Sequence, residues 1–163
     1  MLALYFDGQP HIKEVDRPVP GPGEVLVRVH LAGICGTDLQ VLKGYHNFQG
    51  VMGHEFVGEV AGPADSPWLG QRVVGEINIG CGDCERCRRG LARHCGQRRV
   101  LGLKDHDGAL AHYLTLPAVN LHAVPPEVPD PLAVFTEPLA AALRVLETAS
   151  VSPAAKVLVD CDS

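Results

Sequence analysis

Pro20-Gly21-Pro22-Gly23-Glu24-Val25-Leu26-Val27-Arg28-Val29 is the stretch on which the fold is decided. Two Pro-Gly pairs make a turn, and the apolar run after them, rich in β-branched valine, reads as a strand. Working outward, Leu2 to Phe6, Glu55 to Val60, Arg72 to Gly75 and Leu110 to Leu116 read the same way, each short and each ending at turn residues. Many short strands between Gly and Pro punctuation, from Met1 to about Thr115, point to a compact, mainly β barrel or sandwich. The pattern changes near Pro129. Thr136-Glu137-Pro138 is followed by Leu139, Leu143 and Leu146 at helical spacing, which predicts one helix capped by Thr136 with a proline in its first turn. After Ser152-Pro153, Lys156-Val157-Leu158-Val159 reads as a buried parallel strand, and such a strand needs a neighbour.

The 163 residues are enough for one domain with a core of its own. The chain has no apolar run of about 18 residues, and Met1 to Gly8 lacks the basic, apolar and small-residue pattern of a secretion signal. The expectation is a cytoplasmic protein in a reducing compartment, with no membrane partner. A net charge of −5 gives no reason to expect nucleic acid bound across the whole surface.

Four of the six cysteines, Cys81, Cys84, Cys87 and Cys95, form C-x2-C-x2-C-x7-C. At that density four sulfurs can converge on one ion, and a tetrahedral four-thiolate zinc is closed and structural because no position remains for water or substrate. Iron–sulfur proteins also use C-x2-C-x2-C, but their next cysteine is closer and is followed by proline, whereas Cys95 precedes Gly96. Around the loop stand Arg86, Arg88, Arg89, Arg93, Arg98 and Arg99, so a zinc-ribbon module that binds nucleic acid is a second reading. Against it, no aromatic residue lies between Cys81 and Arg99 to stack on a base, and four thiolates on zinc leave a charge of about −2 that arginines would offset.

A second constellation is spread through the chain. Gly33-Ile34-Cys35-Gly36-Thr37-Asp38 follows a predicted strand and Gly53-His54-Glu55 opens another. Taken alone, Cys35 is a small apolar filler and His54 an ordinary hydrogen-bonded histidine. Together with the cysteine loop, with Gly21-Pro22-Gly23-Glu24-Val25-Leu26-Val27, with Gly70-Gln71-Arg72-Val73 and with Glu137-Pro138-Leu139, they make a sequence that resembles the zinc-containing medium-chain dehydrogenase/reductase family over nearly its whole length.

The resemblance implies a GroES-like, partly open β-barrel with short helices over residues 1–150, serving as the substrate domain, and the first strand of a nucleotide-binding Rossmann domain in 151–163. It implies a catalytic zinc held by Cys35 and His54, with Glu137 as third ligand as in the polyol, threonine and glucose dehydrogenase branches. A carboxylate at the start of a helix is also favoured by the helix dipole with no metal present. Thr37 matches the hydroxyl that bonds the substrate oxygen and passes its proton outward, and Glu55 matches a carboxylate beside the metal. The implied activity is oxidation of a zinc-bound secondary alcohol or polyol, with hydride transfer to NAD or NADP.

The sequence departs from the family at two places. Many members carry a histidine five residues after the catalytic cysteine; here Gln40 stands there, and an amide cannot titrate near neutral pH. Val157-Leu158-Val159 runs into Asp160-Cys161-Asp162-Ser163 instead of a Gly-rich phosphate-binding turn. The nucleotide-binding domain is therefore an expected partner missing from this chain, and an apolar face including the helix from Leu139 to Leu146 is expected to drive self-association into homo-oligomers. A third reading is a catalytically silent relative kept for its partner contacts. The chain alone is expected not to reduce NAD(P)⁺ with any alcohol, which absorbance at the reduced nicotinamide band checks directly.

Overall fold

The computed structural model describes residues 1–148. In chain order the elements are β1 (Leu2–Phe6), β2 (Pro10–Glu14), β3 (Glu24–Gly33), α1 (Gly36–Val41), β4 (Gly50–Val51), β5 (Glu55–Gly62), β6 (Arg72–Gly75), β7 (Asn78–Ile79), α2 (Glu85–Arg88), β8 (Arg99–Val100), β9 (Tyr113–Pro117), β10 (Leu121–Ala123), α3 (Asp130–Ala133) and α4 (Thr136–Thr148). Five strands form an antiparallel sheet in the order β10-β6-β5-β3-β9, a second sheet runs β2-β1-β4, and β7 pairs with β8. Strand β3 is the spine: it pairs with β9 along its first half and with β5 along most of its length. Two register shifts against β5, at Leu26/Val27 and Val29/Leu31, bend it and curl the sheet into a partly open barrel. Met52 N–H donates to Leu4 O at 3.0 Å, and Leu4 N–H to Leu110 O at 2.8 Å, which ties the smaller sheet to the larger.

Period-two alternation divides the sheet into two apolar faces. Val27, Phe56, Val73, Leu114 and Leu116 point into the main core, while the neighbouring Val57 and Val74 point outward and are covered by Ala133 and Val134. A smaller core of Phe6, Val41, Phe48, Met52, Val100 and Leu103 sits under the second sheet.

The mainly β barrel expected from the sequence is what forms. Strand β9 begins at Tyr113 rather than Leu110, because Ala111 makes only an isolated bridge to Ala3 before the pairing with β3 starts. Thr136 does not cap α4 in the expected way: its hydroxyl donates to Ala133 O at 2.7 Å, and the first helical amide bond runs from Leu139 N–H to Phe135 O. Strand β2 and helix α1 carried no signal of their own, since β2 is exposed throughout and α1 is only six residues long. The expected strand Lys156–Val159, and with it the division at residue 151, lies outside the described residues. Leu139 and Leu143 on α4 are exposed, as anticipated, and so are Leu132 on α3 and Phe135 between the two helices. No helix among the described residues is long and apolar enough to cross a membrane.

Leu116 is 0% exposed in the main core and Val119, three residues on, is 91% exposed. Leu116→Ala is expected to cost about 2–5 kcal/mol and Val119→Ala less than about 0.5 kcal/mol, as read from the urea midpoint.

Candidate metal centres

The antiparallel pairing of β3 with β5 sets Gly33 opposite Glu55. Cys35 lies two residues beyond the end of one strand and His54 one residue before the other, so both arrive at the same end of the sheet. One sulfur of Cys35, one ring nitrogen of His54 and one carboxylate oxygen of Glu55 all lie within 4.8 Å of one another. His54 and Glu55 are 3% and 6% exposed, and Cys35 is half-buried. A side chain at Gly33 would collide with the Glu55 carboxylate, so the glycine makes the room that Glu55 occupies.

Asp38, to which the sequence reading gave no role, holds this group together. Cys35 stands before α1 in an extended conformation, and its N–H donates to Asp38 Oδ2 at 2.7 Å, while Val41 anchors the same helix in the core. The signal was present as a carboxylate three residues after the cap, the pattern of a capping box. The other oxygen, Oδ1, lies 3.3 Å from His54 Nδ1, and neither of these two buried atoms finds a hydrogen-bond partner. Asp38 itself is 2% exposed. Burial alone would push the His54 pKa down, but the Asp38 carboxylate and then Cys35 override it and raise it to about 9. The buried imidazole thus faces a sulfur and two carboxylates, those of Asp38 and Glu55. That is the electrostatic setting of a cation site, and sulfur, imidazole and carboxylate are the donors zinc takes.

Thr37 Oγ1 lies 3.7 Å from Cys35 Sγ. Glu137 flanks the group without entering the 4.8 Å cluster. Burial raises its pKa, His54 opposes that rise and Glu55 adds to it, so its carboxylate lies within electrostatic reach of both. It lines a cleft of about 590 Å³ between α4, the end of β6 and the cysteine loop, with Glu76, Asn78, His94 and Thr136. The structure thus brings Glu55 closer to Cys35 and His54 than the Glu137 expected as third ligand. Gln40 is exposed on α1.

The four loop cysteines also converge, with their sulfurs all within 4.8 Å of one another. Cys81 to Cys87 is 3.9 Å and Cys84 to Cys95 is 3.8 Å. Sulfurs about 2.3 Å from a central zinc form a tetrahedron with edges of about 3.8 Å, so these separations fit the ion and are far longer than a disulfide of about 2.0 Å. Pairing of β7 with β8 closes the base of the loop, and Cys84 caps the short helix α2. A Cβ at Gly80 would stand 2.8 Å from Cys87 Sγ, so only glycine leaves that sulfur its place. The Cys81 backbone N–H foremost, helped by that of Gln97, lowers the Cys95 thiol to about 6 against the opposing effect of burial. The hydrogen bond to the Asp83 carboxylate chiefly raises Cys81 to about 12.

Three of the six surrounding arginines, Arg86, Arg89 and Arg98, bond within the loop itself. Arg86 donates to His94 O and Arg98 to Arg93 O, both at 2.6 Å, while Arg89 pairs with Glu85 at 3.4 Å and Arg99 with Glu24 at 3.5 Å. Groups occupied in this way brace the cysteine loop and are less available to a nucleic-acid backbone.

Comparison with known proteins agrees with the resemblance read from the motifs. Residues 21–126 match the family model described as the alcohol dehydrogenase GroES-like domain. The chain is 38% identical over 148 residues to the L-threonine 3-dehydrogenase of Pyrococcus horikoshii, covering 85% of this chain and 42% of that protein. Its fold is similar to that of alcohol dehydrogenase TADH from Thermus sp. ATN1, with a TM-score of 0.83 and 36% identity over 94% of this chain and 48% of that one. It is likewise similar to a short chain alcohol dehydrogenase from Escherichia coli CFT073 solved with the cofactor NADH, with a TM-score of 0.81 and 33% identity over 93% of this chain and 45% of that one. The chain spans less than half the length of each of these relatives. Sequence match, curled sheet and motif order agree, and the chain belongs to the alcohol dehydrogenase GroES-like domain family, within the medium-chain dehydrogenases.

Proposed function

We propose that residues 1–150 form the zinc-holding substrate domain of an NAD(P)-dependent alcohol or polyol dehydrogenase that oxidises a secondary alcohol. In this reading Cys35 and His54, with a carboxylate from Glu55 or Glu137, hold a catalytic zinc, and Cys81, Cys84, Cys87 and Cys95 hold a structural one. The observation that carries the proposal is the buried convergence of Cys35, His54 and Glu55 within 4.8 Å, beside the Thr37 hydroxyl. The names of the relatives support the reaction class, and the NADH held by the Escherichia coli structure supports the nicotinamide cofactor.

Zinc, when bound, supplies Lewis acidity that makes an alcohol or water proton easier to lose near neutral pH. The protein's own groups do the rest. Asp38 fixes the direction of Cys35 through its backbone and lies against the His54 ring, so both donors are set before any ion arrives. Thr37, half-buried beside Cys35, is placed to accept the substrate's hydroxyl proton in a hydrogen bond and hold the oxygen in register. Exposed Gln40 cannot carry that proton onward by titration, so a relay from Thr37 would need water or another residue. The cysteine loop, through Arg93 and His94, forms one wall of the cleft that Glu137 lines. A nicotinamide cofactor, when bound, would supply the acceptor for the hydride from the carbinol carbon, and the hydroxyl proton would be released to solvent.

Purified without chelator, the chain is expected to carry two zincs and no iron by elemental mass spectrometry. His54→Ala is expected to leave one zinc with the fold intact; retention of both would remove the second site from the proposal. Cys84→Ser should lose the other zinc and lower the melting temperature, since a structural zinc contributes directly to folding.

Gly33 gives a sharper test, because its substitution removes no proposed ligand and acts only by crowding Glu55. Gly33→Ala forces the Glu55 carboxylate aside and is expected to weaken zinc at the His54 site about 10–100-fold in a competitive chelator titration. Gly36→Ala, where a Cβ meets nothing within 4 Å, is expected to bind as the parent does.

A further inference from the structure

Helix α3 has four residues, too few to hold a direction by its own hydrogen bonds, yet it is where the chain leaves the barrel and turns toward Glu137. Its direction is set by Asp130. Oδ1 of Asp130 lies 2.9 Å from Arg72 Nη2 on β6, and Oδ2 lies 3.0 Å from His30 Nδ1 on β3. Strands β6 and β3 are the two neighbours of β5, the strand that opens with Glu55. One carboxylate therefore bridges across the strand that brings in His54 and Glu55, with a fixed point on either side. Arg72 Nη2 also donates to Val128 O at 2.5 Å, which holds the residues leading into α3. Its buried Nε has no partner, so the guanidinium keeps this orientation although one donor goes unused.

Packing carries the constraint onward. Ala133 and Val134 press into the outer face of the sheet against Val57 and Val74, and the Thr136 hydroxyl bonds back to Ala133 O at 2.7 Å. The next residue is Glu137. Between Asp130 and Glu137 the chain is held by the backbone bonds of Leu132, Ala133, Val134 and Phe135 and by the buried Ala133 and Val134, and α4 packs near β5 and β6. Half-exposed ion pairs of this kind contribute little to global stability, but they do fix direction.

From this geometry we infer that Asp130, through Arg72 and His30, is a positioning residue that sets how closely Glu137 approaches the Cys35–His54–Glu55 group, and so whether Glu137 shares the metal. The inference rests on the reading that Glu137 belongs to that site. The sequence gave no hint of it, because Asp130 in a proline-rich lead-in looks like an ordinary helix start.

Cobalt(II) replacing zinc in this chain makes the test optical. The visible spectrum of the second site is obtained by subtracting that of His54→Ala, which keeps only the cysteine-loop cobalt. Glu137→Gln is expected to shift this difference spectrum and weaken cobalt at the site. Asp130→Asn should shift it in the same sense and lower the affinity about tenfold or more, with the cysteine-loop bands unchanged and Asp130→Glu restoring part of the loss. A spectrum altered by Glu137→Gln but identical to the parent in Asp130→Asn overturns the positioning role and leaves Glu137 at the site. No change in Glu137→Gln itself removes Glu137 from the site, and this inference with it. Should Asp130→Asn fail to fold, His30→Ala removes one arm of the bridge and is read by the same shift.

Discussion

The antiparallel pairing of β3 with β5 is the interaction on which the rest depends. It runs through the main core by way of Val27 and Phe56, and at its far end it sets Gly33 against Glu55. Sheet register is specified by which side chains are buried, and a slip of one residue would turn Val27 and Phe56 outward. The same register decides whether Cys35 and His54 meet. Core packing and site geometry are thus one constraint: whatever keeps the apolar faces of these two strands matched also keeps a sulfur, an imidazole and a carboxylate at one point. The absence of a side chain at Gly33 is where the two demands meet, since the ladder continues there while the carboxylate takes the vacated space.

The cysteine loop follows a different physics. Between Cys81 and Cys95 the chain has few apolar side chains, two short helical turns at Glu85–Arg88 and Ala92–His94, and only one buried residue, Cys95 itself. Such a segment cannot recover its ordering entropy by burying surface. Convergent sulfurs, arginine bonds to its own carbonyls and the short β7–β8 base hold it instead. Through Arg93 and His94 it also supplies one wall of the cleft that Glu137 lines.

Much of this was legible in the sequence, and the reason differs from part to part. The cysteine centre is local: four ligands within fifteen residues can be recognised by spacing, because no long-range pairing is needed to bring them together. Strands β1, β3, β5 and β6 were legible because each buries a face in a regular pattern. Strand β2 was not, being exposed throughout and held only by its pairing with β1. Asp38 was in view as part of a motif, but its role was hidden because a carboxylate that caps a helix and one that lies against an imidazole look alike in a sequence.

By itself, then, the sequence determined the mainly β character, the family motifs, the cysteine centre and the identity of the residues able to hold a second ion. Only the tertiary structure decided their arrangement. It placed Glu55 in the group with Cys35 and His54 and left Glu137 flanking it, it turned Asp38 toward both, and it tied α3 across β5 through Asp130, Arg72 and His30. Spacing along the chain specifies a site when the ligands are a few residues apart; across twenty or a hundred residues the distance between two side chains is set by strand register and by what packs over the sheet, and neither is written at the residues themselves.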